Sequence, residues 1–68
     1  MKSMSGQRLC KTLESKGWVL KTVKGSHHVF MKEGRRERIS VPVHGNTDLK
    51  KGLLISIMKI ADINENEL

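Results

Sequence analysis

The order of apolar and polar positions divides this chain of 68 residues into five segments. Met4-Ser5-Gly6-Gln7-Arg8-Leu9 opens the first. Ser5 carries the short oxygen-bearing side chain that accepts an orphan backbone N–H at a helix start. Met4 and Leu9 stand where a hydrophobic staple would close around that cap. Leu9 and Leu13, four apart, share one face, and Arg8, Lys11, Glu14 and Ser15 fall mostly outside it. Gly17, after Lys16, supplies a left-handed stop. The pattern predicts a short amphipathic helix.

From Trp18 onward the period shortens to two. Trp18-Val19-Leu20-Lys21-Thr22-Val23-Lys24 and His27-His28-Val29-Phe30-Met31-Lys32 are rich in strand formers. Gly25-Ser26 separates them as a turn, and Glu33-Gly34 turns the chain again. Arg36-Glu37-Arg38-Ile39-Ser40-Val41-Pro42 alternates cleanly. Glu37, Ile39 and Val41 fall on one side, and Arg36, Arg38 and Ser40 on the other. Pro42 has no N–H for a ladder, so it ends that strand or sits on an edge. Turns this close make the three strands an antiparallel meander. The first two strands are partly apolar on both sides, and the pattern does not assign their faces.

Val43-His44-Gly45-Asn46 reads as a loop. Asp48 or Thr47 is expected to cap the last helix, which runs to about Ala61. Leu49, Leu53, Ile57 and Ile60 form its expected core stripe, widened by Leu54 and Met58. Gly52 is either a weak point in that helix, costing about 1 kcal/mol against Ala, or a close approach to the sheet. Asn64 is placed to cap a final turn containing Glu65, Glu67 and Leu68. The expected fold class is α+β, a two-layer α-β-β-β-α sandwich. Both helices cover one face of a three-stranded antiparallel sheet, and the other face is open to solvent or a partner. No repeat, linker or low-complexity segment interrupts residues 1–68, which read as one domain.

Charge gives the sheet a chemical meaning. The net charge is +6, and residues 1–38 hold ten Lys/Arg against three acids, whereas residues 39–68 hold three lysines against four acids. The positive field therefore belongs to the first helix and the sheet, where it attracts polyanions, nucleic acid first. Cys10 is the single cysteine, so an internal disulfide is excluded, which suits a reducing compartment. No apolar run approaches the ~20 residues that span a membrane. Met1-Lys2-Ser3-Met4-Ser5 lacks the apolar core of a signal peptide. The expected location is the cytoplasm, with no membrane partner.

The stretch Lys24-Gly25-Ser26-His27-His28-Val29-Phe30 carries the candidate chemistry. It sets two imidazoles after a tight turn, on stiff backbone, and histidine is the side chain type suited to moving protons near neutral pH. Neighbouring strand residues point to opposite faces, so His27 and His28 serve different roles. Spacing alone allows both to be ordinary strand histidines, one packed and one solvated. A metal site built from His27, His28 and His44 is disfavoured, because adjacent strand residues diverge and no cysteine or acid completes a ligand spacing. Cys10 on the first helix reads as a small buried apolar residue. Lys21, Lys24, Arg36 and Arg38 are candidate phosphate ligands near the turn. Trp18 and Phe30 are the only large aromatics, and they read as core rather than as base-stacking platforms.

The Gly25-Ser26-His27 turn follows a helix ending at Gly17-Trp18 and precedes Val41-Pro42-Val43-His44 and a Leu/Ile-rich helix beginning Asp48-Leu49-Lys50-Lys51-Gly52. Over nearly the whole chain this pattern resembles the HicA family of toxins, small mRNA interferases of bacterial and archaeal toxin–antitoxin modules. The resemblance implies a double-stranded-RNA-binding-like fold. It also implies an endoribonuclease that cleaves mRNA without a cofactor or metal, and a HicB-like antitoxin as partner. It maps the catalytic histidine to His27, within an active-site turn that includes Gly25 and Ser26. A monomeric free toxin is one expectation, and the sequence leaves dimerisation open. A non-catalytic RNA-binding module of the same fold is the alternative. A third reading is a protein-interaction module whose open sheet face serves a partner.

Overall fold

The structure, a computed structural model, describes residues 3–67. Its elements are α1 (Gly6–Ser15), β1 (Val19–Lys24), β2 (His27–Met31), β3 (Arg38–Pro42) and α2 (Lys51–Ala61), followed by a 3-10 turn at Glu65–Glu67. This is the expected α-β-β-β-α order. Leu68, which the sequence reading puts in the final turn, lies outside the described residues.

Both ends of α1 form as the sequence dictates. The Ser5 side chain accepts the Arg8 backbone N–H at 3.3 Å, and Met4 and Leu9 are both buried. At the other end Gly17 takes φ 94°, which lets the Trp18 N–H reach the Leu13 carbonyl at 3.0 Å and the Gly17 N–H reach that of Glu14 at 3.1 Å. This Schellman closure turns the chain and drops Trp18 into the core beside Leu13.

The sheet order is β1-β2-β3, antiparallel throughout. Its register assigns the faces that the pattern left open, since directly opposed residues share a face. Phe30 lies opposite Leu20 and Ile39, and His28 opposite Val23 and Val41. Phe30, Ile39 and Val41 are fully buried against Leu9 and Leu13 of α1 and Leu54, Ile57 and Met58 of α2, so both helices cover this face. The other face is built of three rows: Lys24, His27 and Pro42; Thr22, Val29 and Ser40; Val19, Met31 and Arg38. A bulge at Lys21 shifts the register between Leu20 and Thr22.

The last helix departs from the expected start and stripe. Neither Thr47 nor Asp48 caps it: Lys50 holds the cap position without a side-chain hydrogen bond. Asp48 instead bridges to Ser5, and the Leu49 N–H donates to the Met4 carbonyl at 2.9 Å. Those backbone bonds keep the chain extended through residue 49 and delay the helix to Lys51. The buried stripe is consequently Leu54, Ile57, Met58 and Ala61, with Leu49 and Ile60 packed at its margin and Leu53 exposed. Gly52 is no close approach, since a Cβ there would meet nothing. That role belongs to Gly6, where a Cβ would overlap the Pro42 carbonyl oxygen and stand 3.2 Å from the Val43 Cα.

Arg35, in the connection between β2 and β3, locks this end of the molecule. Its guanidinium donates to the Ile60 carbonyl at 2.7 Å, pairs with Glu37 at 3.0 Å and Asp62 at 3.4 Å, and lies 5.7 Å from the Trp18 ring centroid. A cation over an aromatic face and against the last carbonyls of a helix is favoured on both counts.

Candidate active site on the open sheet face

Gly25 reverses the chain with φ 57°, a conformation that costs a residue with a Cβ but not glycine. The turn is tied down from the other side, because the Ser26 carbonyl accepts the Val43 N–H at 2.7 Å. His27 is the first residue of β2. It is exposed on the open face, with Lys24 of β1 on one side and Pro42 of β3 on the other. His28 points through the sheet to the helix face. There it lines a groove of about 310 Å³ with Gln7, Cys10, Leu20 and Val43. The two histidines are thus separated, as strand geometry requires.

The four basic residues do not converge. Lys24 alone neighbours His27. Arg38 shares the face but pairs with Met31, four residues along β2 from His27 and so about 13 Å away. Lys21 sits at the bulge and lines a shallow groove with Val19 and Met31. Arg36 is exposed in the connection before β3. They form a dispersed positive track rather than a cluster around the turn. None of the four pairs with a carboxylate among the described residues, whereas Lys16 pairs with Glu67 and Arg35 with Asp62 and Glu37. The acids of the C-terminal region thus neutralise helix and loop cations and leave the sheet positive.

Hydrogen bonding from Arg35 holds the Glu37 carboxyl below its ordinary value, and Lys16 does the same for Glu67. Burial, with Glu14 nearby, pushes the Cys10 thiol up, away from the reactive thiolate. Cys10 packs half-buried against the core. Trp18 and Phe30 are 2% and 1% exposed, which removes both from any base-stacking role. Among the described residues no three of His, Cys, Asp and Glu group together, and no helix is long and apolar enough to cross a membrane.

Two features of this face escape the sequence pattern. The hydroxyls of Thr22 and Ser40 flank Val29 in the row next to His27. The alternation of β3 already sets Ser40 on this side, but the placement of Thr22 depends on the bulge at Lys21, which shifts the parity of β1 and leaves no mark in the order of residues. Arg35 and Arg36 are indistinguishable by sequence, yet one is a structural clamp and the other makes no ion pair among the described residues.

Fold and surface together define a small α-β-β-β-α protein with a double-stranded-RNA-binding-like layout and a positive, histidine-bearing sheet face. A family model described as the HicA toxin of bacterial toxin–antitoxin systems matches residues 6–63, and the chain belongs to the HicA toxin family. A solved relative, from a structure described as the HicA3 and HicB3 toxin-antitoxin complex, is 39% identical with a TM-score of 0.70. The match covers 91% of this chain and 98% of that one. No curated protein matches the chain.

Proposed function

We propose that this chain is an endoribonuclease toxin that cleaves mRNA with His27 as its proton-transferring residue and is neutralised by a HicB-like antitoxin. The observation that carries the reading is the position of His27. It is the histidine that the turn presents on the open, positive face, next to Lys24, while His28 is turned against α1. Membership of the HicA family supports it independently.

RNA scission needs a proton removed from the attacking hydroxyl and one delivered to the leaving oxygen. A neutral imidazole does the first and an imidazolium the second. With the 2′-OH as nucleophile, the new P–O bond forms as the bond to the 5′-oxygen breaks. The products are a 2′,3′-cyclic phosphate and a 5′-hydroxyl. Lys24 lies where it stabilises the developing phosphorane charge, and Lys21, Arg36 and Arg38 guide the flanking strand. Gly25 and Ser26 shape the turn that fixes His27. No metal or cofactor enters these steps. A HicB-like partner inhibits by covering this face.

The test is cleavage of a single-stranded mRNA substrate by wild type and His27→Ala. Loss of about 10²–10⁴-fold in rate is expected, the range for removal of a general acid–base group, with unchanged circular dichroism. Wild-type cleavage by the variant would overturn the assignment. RNA binding without cleavage by the wild-type chain would establish the non-catalytic module instead. End-group analysis giving 5′-phosphates would replace the 2′-OH by water as nucleophile.

A further inference from the structure

The strand β1 has a chemistry that RNA cleavage does not use. All six residues Val19–Lys24 are exposed, and three of them are aliphatic. Val19 and Val23 are 52% exposed and Leu20 41%. β1 is an edge strand, with nothing paired to its outer side among the described residues. Apolar ground flanks it on both faces: Val19 and Met31 on the open face, and Leu20, Phe30 and Val43 in the groove below α1. Unpaired N–H and C=O groups between two such shelves are a template for another strand.

The opposite edge lacks these properties. β3 buries Ile39 and Val41, exposes only Arg38 and Ser40, and ends at Pro42, which has no N–H to give. Any added strand therefore belongs at β1.

Charge selects the occupant. Pairing β1 with β1 of a second copy would bring Lys21 and Lys24 of one chain toward those of the other, in a protein already carrying +6. Edge lysines and a bulge are the devices by which sheets resist such self-pairing. The same lysines attract carboxylates placed across a strand pair. We propose that β1 accepts, as a fourth strand, an extended segment of the antitoxin in which acidic side chains on the open face alternate with aliphatic ones on the helix face. The acids meet Lys21 and Lys24, and the aliphatics meet Leu20 and Val23. Only the naming of the partner as antitoxin rests on the toxin reading. The added strand lies about 10 Å from β2, and its carboxylates engage Lys24, the cation beside His27. Strand addition thereby withdraws that lysine from RNA.

The probe is a blocked peptide of alternating Val and Glu, titrated into the full-length, isotope-labelled chain and followed by NMR. Shifts and slowed amide exchange are expected to concentrate on residues 19–24. Leu20→Asp combined with Val23→Asp weakens binding by about tenfold or more, and a peptide of alternating Gly and Glu binds weaker by a similar factor. Lys21→Glu with Lys24→Glu transfers the preference to a peptide of alternating Val and Lys. Perturbation confined to β3, equal binding of the Gly-Glu peptide, or self-association through β1 would overturn the proposal. RNA cleavage measured on the same wild-type sample keeps the two readings apart. A chain that cleaves RNA but ignores the peptide loses only the strand site, and one that binds the peptide at β1 but spares RNA loses only the nuclease assignment.

Discussion

At the scale of single residues, adjacent positions face opposite sides of the sheet. His27 and His28 differ by one step in the chain and by a full sheet thickness in space. On the proposed role of His27, His28→Ala is expected to leave RNA cleavage intact and His27→Ala to abolish it, and a parallel rate assay of the two variants checks this. Gly6 shows a different kind of constraint. It lies at the first turn of α1, where the helix backbone presses on Pro42 at the end of β3. Gly6→Ala adds a methyl where the Pro42 carbonyl already stands, and rigid backbone on both sides leaves it little room. Destabilisation of about 1–3 kcal/mol is expected, the usual range for overpacking, measured by urea unfolding. The shared edge of α1 and β3 also supports the Ser26–Val43 hydrogen bond, so the variant should disturb the His27 turn as well.

At the scale of elements, the packing of α2 is decided by where it begins. The bridge between Ser5 and Asp48 and the Leu49–Met4 hydrogen bond hold the chain extended, and the helix starts only at Lys51. Leu53 and Leu54 are chemically identical, yet one is 37% exposed and the other 1%. Leu54→Ala should cost about 2–5 kcal/mol, as buried Leu truncations do. Leu53→Ala should fall within about 0.5 kcal/mol of wild type, as for other surface positions. Comparing their denaturation midpoints tests the observed stripe against the one the periodicity suggested. Arg35 joins the β2–β3 connection to the end of α2 through Ile60 and Asp62 while covering Trp18. Arg35→Lys should lower the melting temperature nearly as far as Arg35→Ala, because an ammonium cannot reproduce the planar fork.

At the scale of the whole molecule, charge is segregated by pairing as well as by sequence. Glu67 and Asp62 return from the C-terminal region to Lys16 and Arg35, and among the described residues the sheet lysines and arginines remain unneutralised. If Lys21, Lys24, Arg36 and Arg38 each engage one phosphate, the logarithm of RNA affinity falls with the logarithm of salt concentration at a slope of about −3. Filter binding across a salt series measures it, and a flat response would remove the phosphate track. Acid acts on the pairs instead. The Glu37 and Glu67 carboxyls titrate lower in the folded chain than in the unfolded one. Their stabilisation is complete above the ordinary glutamate range and is lost as pH falls through their depressed folded values. Melting temperature should therefore decline on acidification, by a small amount because both groups are at the surface. Glu67→Gln should shallow that decline.

The element order, the α1 caps, the core identity of Trp18 and Phe30, and the separation of the two histidines were all readable from the order of residues. Each of these follows from local chemistry: a capping oxygen, a glycine at positive φ, an alternation of period two. The HicA resemblance was also legible, because it rests on residues contiguous in the chain. Which face of β1 and β2 is covered, where α2 begins, which leucine is buried and which arginine is a clamp emerged from the folded chain alone. Those outcomes depend on a bulge, on backbone bonds between residues more than forty apart, and on the register of one strand against another. Long-range pairing of that kind leaves no periodic trace in the order of residues. The same register places Lys24 beside His27, and it leaves β1 as the sheet's open, positively charged apolar edge.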